Sequence, residues 1–201
     1  MARRRLLGDD VWARLLGAPA DELEIARLYS LTAEDLTLVG NRRTDATRLG
    51  YALVLLYLRH PGRVLEAGEV PPDPLLAYVA RQLGAATSVF STYAARDATR
   101  REHLAELTAA GGYTTLSRPL AHEMVGFLAA SAQTIVRPGQ LAGILVQELR
   151  RRRVLLPSPL VLEAVIRRAR QRAEALSAPE VLDPTTQGKR MRSGRSMCRV
   201  S

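Results

Sequence analysis

Thr44-Asp45-Ala46-Thr47-Arg48-Leu49-Gly50-Tyr51-Ala52-Leu53-Val54-Leu55-Leu56-Tyr57-Leu58-Arg59-His60-Pro61-Gly62 sets the architecture of this chain. Leu49, Ala52, Leu53, Leu56 and Tyr57 recur at i, i+3, i+4, i+7 and i+8, the period of an amphipathic helix. His60-Pro61-Gly62 ends that helix, because the residue before a proline is pushed out of the helical region. Just upstream, Thr32-Ala33-Glu34-Asp35 reads as a capping box with Asp35 in the usual glutamate position, which starts a shorter helix. The helices predicted at 32–40 and 44–58 are joined by a short break and form a helix-turn-helix-like pair.

The same punctuation continues in both directions. Asp9 to Leu16 predicts a first helix, and Pro19 starts a second that runs to Tyr29. Asp73 is placed to cap a helix with Leu76, Val79, Ala80 and Leu83 inside. A short helix at Val89–Tyr93 and a longer one from Asp97 to Ala110 follow. Pro119 starts a helix that Pro138-Gly139 breaks, Leu141 to Leu149 mark the next, and Ser158-Pro159 opens a last helix to Leu176. No strand of convincing length appears. The fold class is all-α: a compact array of about nine short helices. Pro61, Gly62, Gly68, Pro71, Pro72 and Pro74 mark a pivot, which divides the chain into subdomains at 1–66 and 67–177. Residues 178–201 lack apolar periodicity and are expected to be a disordered basic tail.

Aromatics are 4% of the chain and apolar residues 47%, so the core is built from Leu, Ala and Val. The formal net charge is +9 and the sequence pI near 10.7, which favours an acidic partner, most often nucleic acid. Of the 29 basic residues only Lys189 is a lysine. Arginine binds phosphate bidentately and reads guanine edges, although a GC-rich coding sequence also gives this bias. The one cysteine, Cys198, rules out a disulfide framework within one chain and points to a reducing cytoplasm. There is no signal peptide and no membrane-length apolar run. Walker A, G-x-G-x-x-G, G-x-S-x-G and H-E-x-x-H patterns are absent. His60, His103 and His122 have no ligand spacing and read as helix-surface or capping residues, so no metal, cofactor or catalytic residue is assigned.

Several stretches share an order and spacing: Leu31-Thr32-Ala33-Glu34-Asp35-Leu36, Thr47-Arg48-Leu49-Gly50-Tyr51-Ala52, Leu58-Arg59-His60-Pro61-Gly62-Arg63, Gly68-Glu69-Val70-Pro71, Ala77-Tyr78-Val79-Ala80, the run from Tyr93 to Leu107, and Glu148 to Pro157. Together they resemble the N-terminal domain of Tn-three family transposases, the large DDE enzymes of replicative class II transposons. The resemblance covers roughly residues 1–177. It implies double-stranded DNA, the terminal inverted repeats, as partner, with other transposase subunits as further partners. It also implies a bacterial cytoplasmic location, nucleoid-associated when DNA-bound, and a chain that stops before the catalytic acidic triad. Thr44 and Thr47 stand where the family usually has Gly and Asn.

On the helix from Asp97, Leu104 and Leu107 define a buried stripe, and Arg100 lies between them in azimuth, which suits a structural role. Arg101 lies roughly 60° further out. Arg101 and Arg96 are therefore phosphate candidates, while Glu102 and Glu106 face the other side. The start of the 44–58 helix offers Arg42, Arg43, Thr47 and Arg48 to a groove, and Arg59 and Arg63 flank the Pro61-Gly62 turn. Residues 137–177 carry nine arginines against Glu148, Glu163 and Glu174. Arg150, Arg151, Arg152 and Arg153 exceed what a helix C-terminus needs. Glu163–Arg167 and Arg170–Glu174 read as surface i, i+4 pairs, which leaves Arg168 and Arg172 for DNA. A helical interaction or dimerisation module and a non-functional truncated fragment are the alternative readings.

Overall fold

The computed structural model describes residues 5–177; the tail at 178–201 lies outside them. Ten α-helices are present among the described residues: α1 (Asp9–Leu16), α2 (Glu22–Tyr29), α3 (Ala33–Gly40), α4 (Asp45–Arg59), α5 (Asp73–Gln82), α6 (Phe90–Ala94), α7 (Asp97–Gly111), α8 (Arg118–Ala132), α9 (Pro138–Arg151) and α10 (Pro159–Ser177). A 3-10 turn at Thr87–Val89 leads into α6. Two short strands, β1 (Thr114–Thr115) and β2 (Val154–Leu155), pair in parallel, Thr114 with Val154 and Thr115 with Leu155.

Local chemistry sets most boundaries. Thr32 and Asp35 form the full capping box of α3. Thr44 and Thr47 make the same reciprocal cap at α4, each side chain accepting from the other's backbone N–H. The threonine pair thus supplies the helix start on its own. Three expectations shift by one to three residues. Asp21 caps α2, so Pro19 lies outside it. Asp73 is the first residue of α5 and makes no capping bond. Pro138 opens α9 at its first turn, where a missing N–H costs nothing.

The apolar residues collect in two clusters. The first surrounds α4, in which residues 49–58 are all buried, with Ile25, Tyr29, Val39, Leu75, Val79, Phe90, Tyr93 and Leu107 around it. Tyr93 packs directly on Gly50, where a Cβ would lie 2.3 Å from the ring. The second joins α8, α9 and α10 through Met124, Leu128, Leu141, Leu145, Leu162 and Ile166. The N-terminal helix belongs to this second cluster, with Trp12 and Leu16 buried in it.

Glu163 of α10 holds α1 there. It is 2% exposed and accepts from Leu6 N–H (3.1 Å), Leu7 N–H (3.4 Å) and Trp12 Nε1 (3.2 Å). The expectation of an ordinary surface pair with Arg167 is corrected. The two remain 3.5 Å apart, but the N-terminal segment lies over the carboxylate and takes it out of solvent. Burial raises the Glu163 pKa, and the bonds from Leu6 and Trp12 outweigh this and hold it below its ordinary value.

Candidate nucleic-acid interface

The structure divides the arginines by what already neutralises them. Arg59, at the end of α4, donates through both terminal nitrogens to Asp35 of α3, at 2.6 Å each. Burial raises the Asp35 pKa, but the Arg59 bonds and the Thr32 cap outweigh it, and the carboxyl stays below its usual range. Arg63 forms the same fork with Glu69 and also donates from Nε to the Leu16 carbonyl. Arg42 lies 4.1 Å over the Tyr51 ring and pairs with Glu106 at 2.6 Å, and the Tyr51 hydroxyl donates to the same carboxylate. Glu106 is thereby a partner of the first core as well as an outer-face acid. Arg100 pairs with Asp97 and donates to the Leu65 carbonyl, the structural role its azimuth implies.

His103 corrects its surface reading. It is 6% exposed, stacks on Tyr93, and shares a hydrogen bond with the Tyr93 hydroxyl at 3.2 Å. His60 caps α4, sits edge-on to Tyr29, and is pulled down to a pKa of about 4 by burial, with Arg150 and Arg27 adding repulsion.

The four-arginine run separates residue by residue. Arg151 and Arg152 both bind Glu148, and Arg152 also binds Glu123. Those bonds, from Arg151 first, pull the Glu148 pKa down to about 2. Arg150 turns inward, its Nε donating to the Pro61 carbonyl and Nη2 to the Leu15 carbonyl. Arg153 is exposed at φ 55° and donates from Nη1 to the Gly111 carbonyl at 2.7 Å.

Around the helix-turn-helix-like pair, the burial of residues 49–58 leaves the first turn of α4 and its last residue, Arg59, to solvent. The first turn carries Thr47, engaged in the cap, and Arg48, which donates to the Arg42 carbonyl and lies 3.4 Å from Asp45. Arg101 is 69% exposed and 3.1 Å from Asp97. Arg43, Arg96, Arg168 and Arg172 are exposed and form no ion pair among the described residues. Arg168 and Arg172 are one turn apart on α10, away from the buried stripe of Leu162, Val165, Ile166, Ala169 and Ala173.

Sequence reasoning missed one juxtaposition. Arg59, Arg150, Arg153 and Tyr113 converge with Leu58, Gly62 and Val154 around a cavity of about 180 Å³ where the two cores meet. Tyr113 had no motif of its own, and the three arginines come from segments about ninety residues apart in sequence. Among the described residues no cluster of His, Cys, Asp and Glu is placed to hold a metal ion, and no helix is long and apolar enough to cross a membrane.

A mostly helical module with one two-stranded β pair and a guanidinium-rich surface is the class that this fold and site define. Residues 6–169 match the family described as Domain of unknown function (DUF4158), and the chain belongs to that family. It is 36% identical over 191 residues to the transposase for transposon Tn3926 of Escherichia coli, which covers 93% of this chain and 19% of that protein. The transposase for transposon Tn21 of Escherichia coli is 34% identical over 184 residues, 89% of this chain and 19% of that protein. The transposase for transposon Tn501 of Pseudomonas aeruginosa is 32% identical over 190 residues, again 19% of its length. The chain thus spans about a fifth of these relatives and corresponds to the N-terminal region of Tn-three family transposases.

Proposed function

We propose that this chain is a non-catalytic DNA-binding module that holds the terminal inverted repeats of a transposon. Arginine–phosphate contacts supply most of the affinity. The observation that carries this reading is the surface left after internal pairing. Arg43, Arg96, Arg153, Arg168 and Arg172 are exposed and have no carboxylate partner among the described residues. The net charge of +9 and the transposase relatives support the same partner. Arg42, Arg59 and Arg63, by contrast, serve mainly to fix the module's shape. Sequence reading falls to Arg48 in the first turn of α4 and to Arg43 just before that helix.

The test is binding of an inverted-repeat duplex, followed by fluorescence anisotropy between 50 and 200 mM salt. Five phosphate contacts correspond to a log–log slope of about −4.5 and a loss of affinity of roughly several hundred-fold over that range. A flat response, or no binding at low salt, overturns the reading and favours a helical interaction module.

A further inference from the structure

The Pro61–Gly62 turn, the β1–β2 pair and the end of α9 meet at the seam between the two cores. Leu156 N–H donates to the Gly62 carbonyl, Thr114 N–H donates to the Arg153 carbonyl, and Arg150 bonds both Pro61 and Leu15. The backbone takes two unusual forms there. Gly62 has φ +91°, and a Cβ on it would sit 3.0 Å from Arg150 Cγ. Arg153 holds φ 55° with a full side chain, a conformation that L-residues adopt rarely and that clusters at ligand sites.

The donors at this seam are under-used. Arg150 is half-buried, yet its only acceptors among the described residues are two neutral carbonyls, and burial pushes its pKa down. A guanidinium partly withdrawn from water favours a negative partner. Nη1 of Arg150, and Nε and Nη2 of Arg153, have no acceptor among the described residues, and neither has the Tyr113 hydroxyl. Arg59 Nε is likewise without a partner, since Asp35 engages the two terminal nitrogens. All four side chains line the one cavity, and Arg59 (42% exposed) and Arg153 give it a mouth in solvent. At about 180 Å³ it exceeds several-fold the ~30 Å³ share of a water molecule, so a tetrahedral anion has room.

We propose that the cavity lined by Arg59, Arg150, Arg153 and Tyr113 is a pocket for a single phosphate group. The DNA-binding reading supplies its source, a backbone phosphate of the bound duplex, and the inference rests on that reading for the source alone. Arg150 meets the anion from the floor, Arg153 and Arg59 from the rim, and Tyr113 donates its hydroxyl. Seated there, a phosphate bridges segments of both cores and fixes the duplex relative to each.

The experiment uses Arg153→Gly and Tyr113→Phe. Glycine suits φ 55°, so Arg153→Gly removes the guanidinium while relieving the backbone, and Tyr113→Phe removes only the hydroxyl. Thermal unfolding is followed in inorganic phosphate against sodium chloride at matched ionic strength, and duplex affinity is measured in parallel. In the wild type, phosphate raises the unfolding temperature above the chloride control; both variants lose most of that rise. Each variant weakens duplex binding about tenfold, the scale of one lost charge-assisted contact, and Arg153→Gly lowers the salt slope by about one. Phosphate that stabilises the wild type no more than chloride does overturns the pocket, as do variants with unchanged phosphate response and duplex affinity. Duplex binding that survives such a result leaves the DNA reading standing. Phosphate binding without duplex affinity supports the pocket and removes the DNA reading, and assigns the phosphate to a small ligand.

Discussion

The first core, around α4, and the second, around α9 and α10, differ in how far carboxylates tie down their arginines. In the first, Arg42, Arg59, Arg63 and Arg100 each meet a carboxylate from a different turn or element. In the second, arginines outnumber acids, and Glu163 is occupied by backbone and indole N–H groups. Arg168 and Arg172 are left outside any ion pair among the described residues. Formal charge in a sequence therefore differs from charge on offer to a partner. The motif arginines mostly hold helices together, and the surplus is split between Arg43 and Arg96 beside the first core and Arg153, Arg168 and Arg172 in the second stretch.

The largest expected effect that tests this contrast comes from Asp35→Ala. It removes the Asp35 half of the α3 capping box, leaves the Thr32 N–H without its acceptor and strands Arg59, at a cost of roughly 2–3 kcal/mol in a urea titration. A loss under about 0.5 kcal/mol would mean that the first core does not depend on its ion pairs.

A pH effect comes next. His60 has a folded pKa near 4 against an ordinary value of 6.5, so its contribution is present above 6.5 and is lost as pH falls to 4. Glu148, held near 2 against 4.5, contributes above 4.5 and loses its part between 4.5 and 2. Denaturant midpoints from pH 7 to pH 2 should fall through both windows. Glu148→Gln should flatten the lower one only, and a lower window unchanged by Glu148→Gln would remove that assignment.

The smallest effect on stability belongs to the double change Arg168→Ala, Arg172→Ala, within about 0.5 kcal/mol of wild type. Its duplex affinity should nevertheless fall, with a salt slope shallower by roughly two. A large stability loss with unaltered DNA binding would reverse the contrast between the two cores.

What the sequence made legible follows from distance along the chain. The helices, and the box formed by Thr32 and Asp35, are local events written within four residues. The Thr44–Thr47 cap was equally local, but it was obscured by comparison with a Gly and Asn pattern. Glu163 and Arg167 have the same i, i+4 spacing whether solvated or buried, and only the segment at Leu6 and Leu7 decides between them. His103 lies roughly 40° beyond Leu107 on the helix, at the edge of the buried stripe, but its polarity suggests the surface. The Arg59–Arg150–Arg153 cluster depends on how two cores meet, which no window of residues encodes. β1 and β2 are two residues each and too short to display a period.

The bonds from Leu6, Leu7 and Trp12 to Glu163 span more than 150 residues. During synthesis the first core has all of its helices once residue 111 has emerged, and it can close while the ribosome is still working. α1, made before the helices of the first core, must wait until α9 and α10 exist before Trp12 and Leu16 find their neighbours. The α1 segment is thus made before the first core yet settles after it, and a loop of nearly the whole module closes when it does.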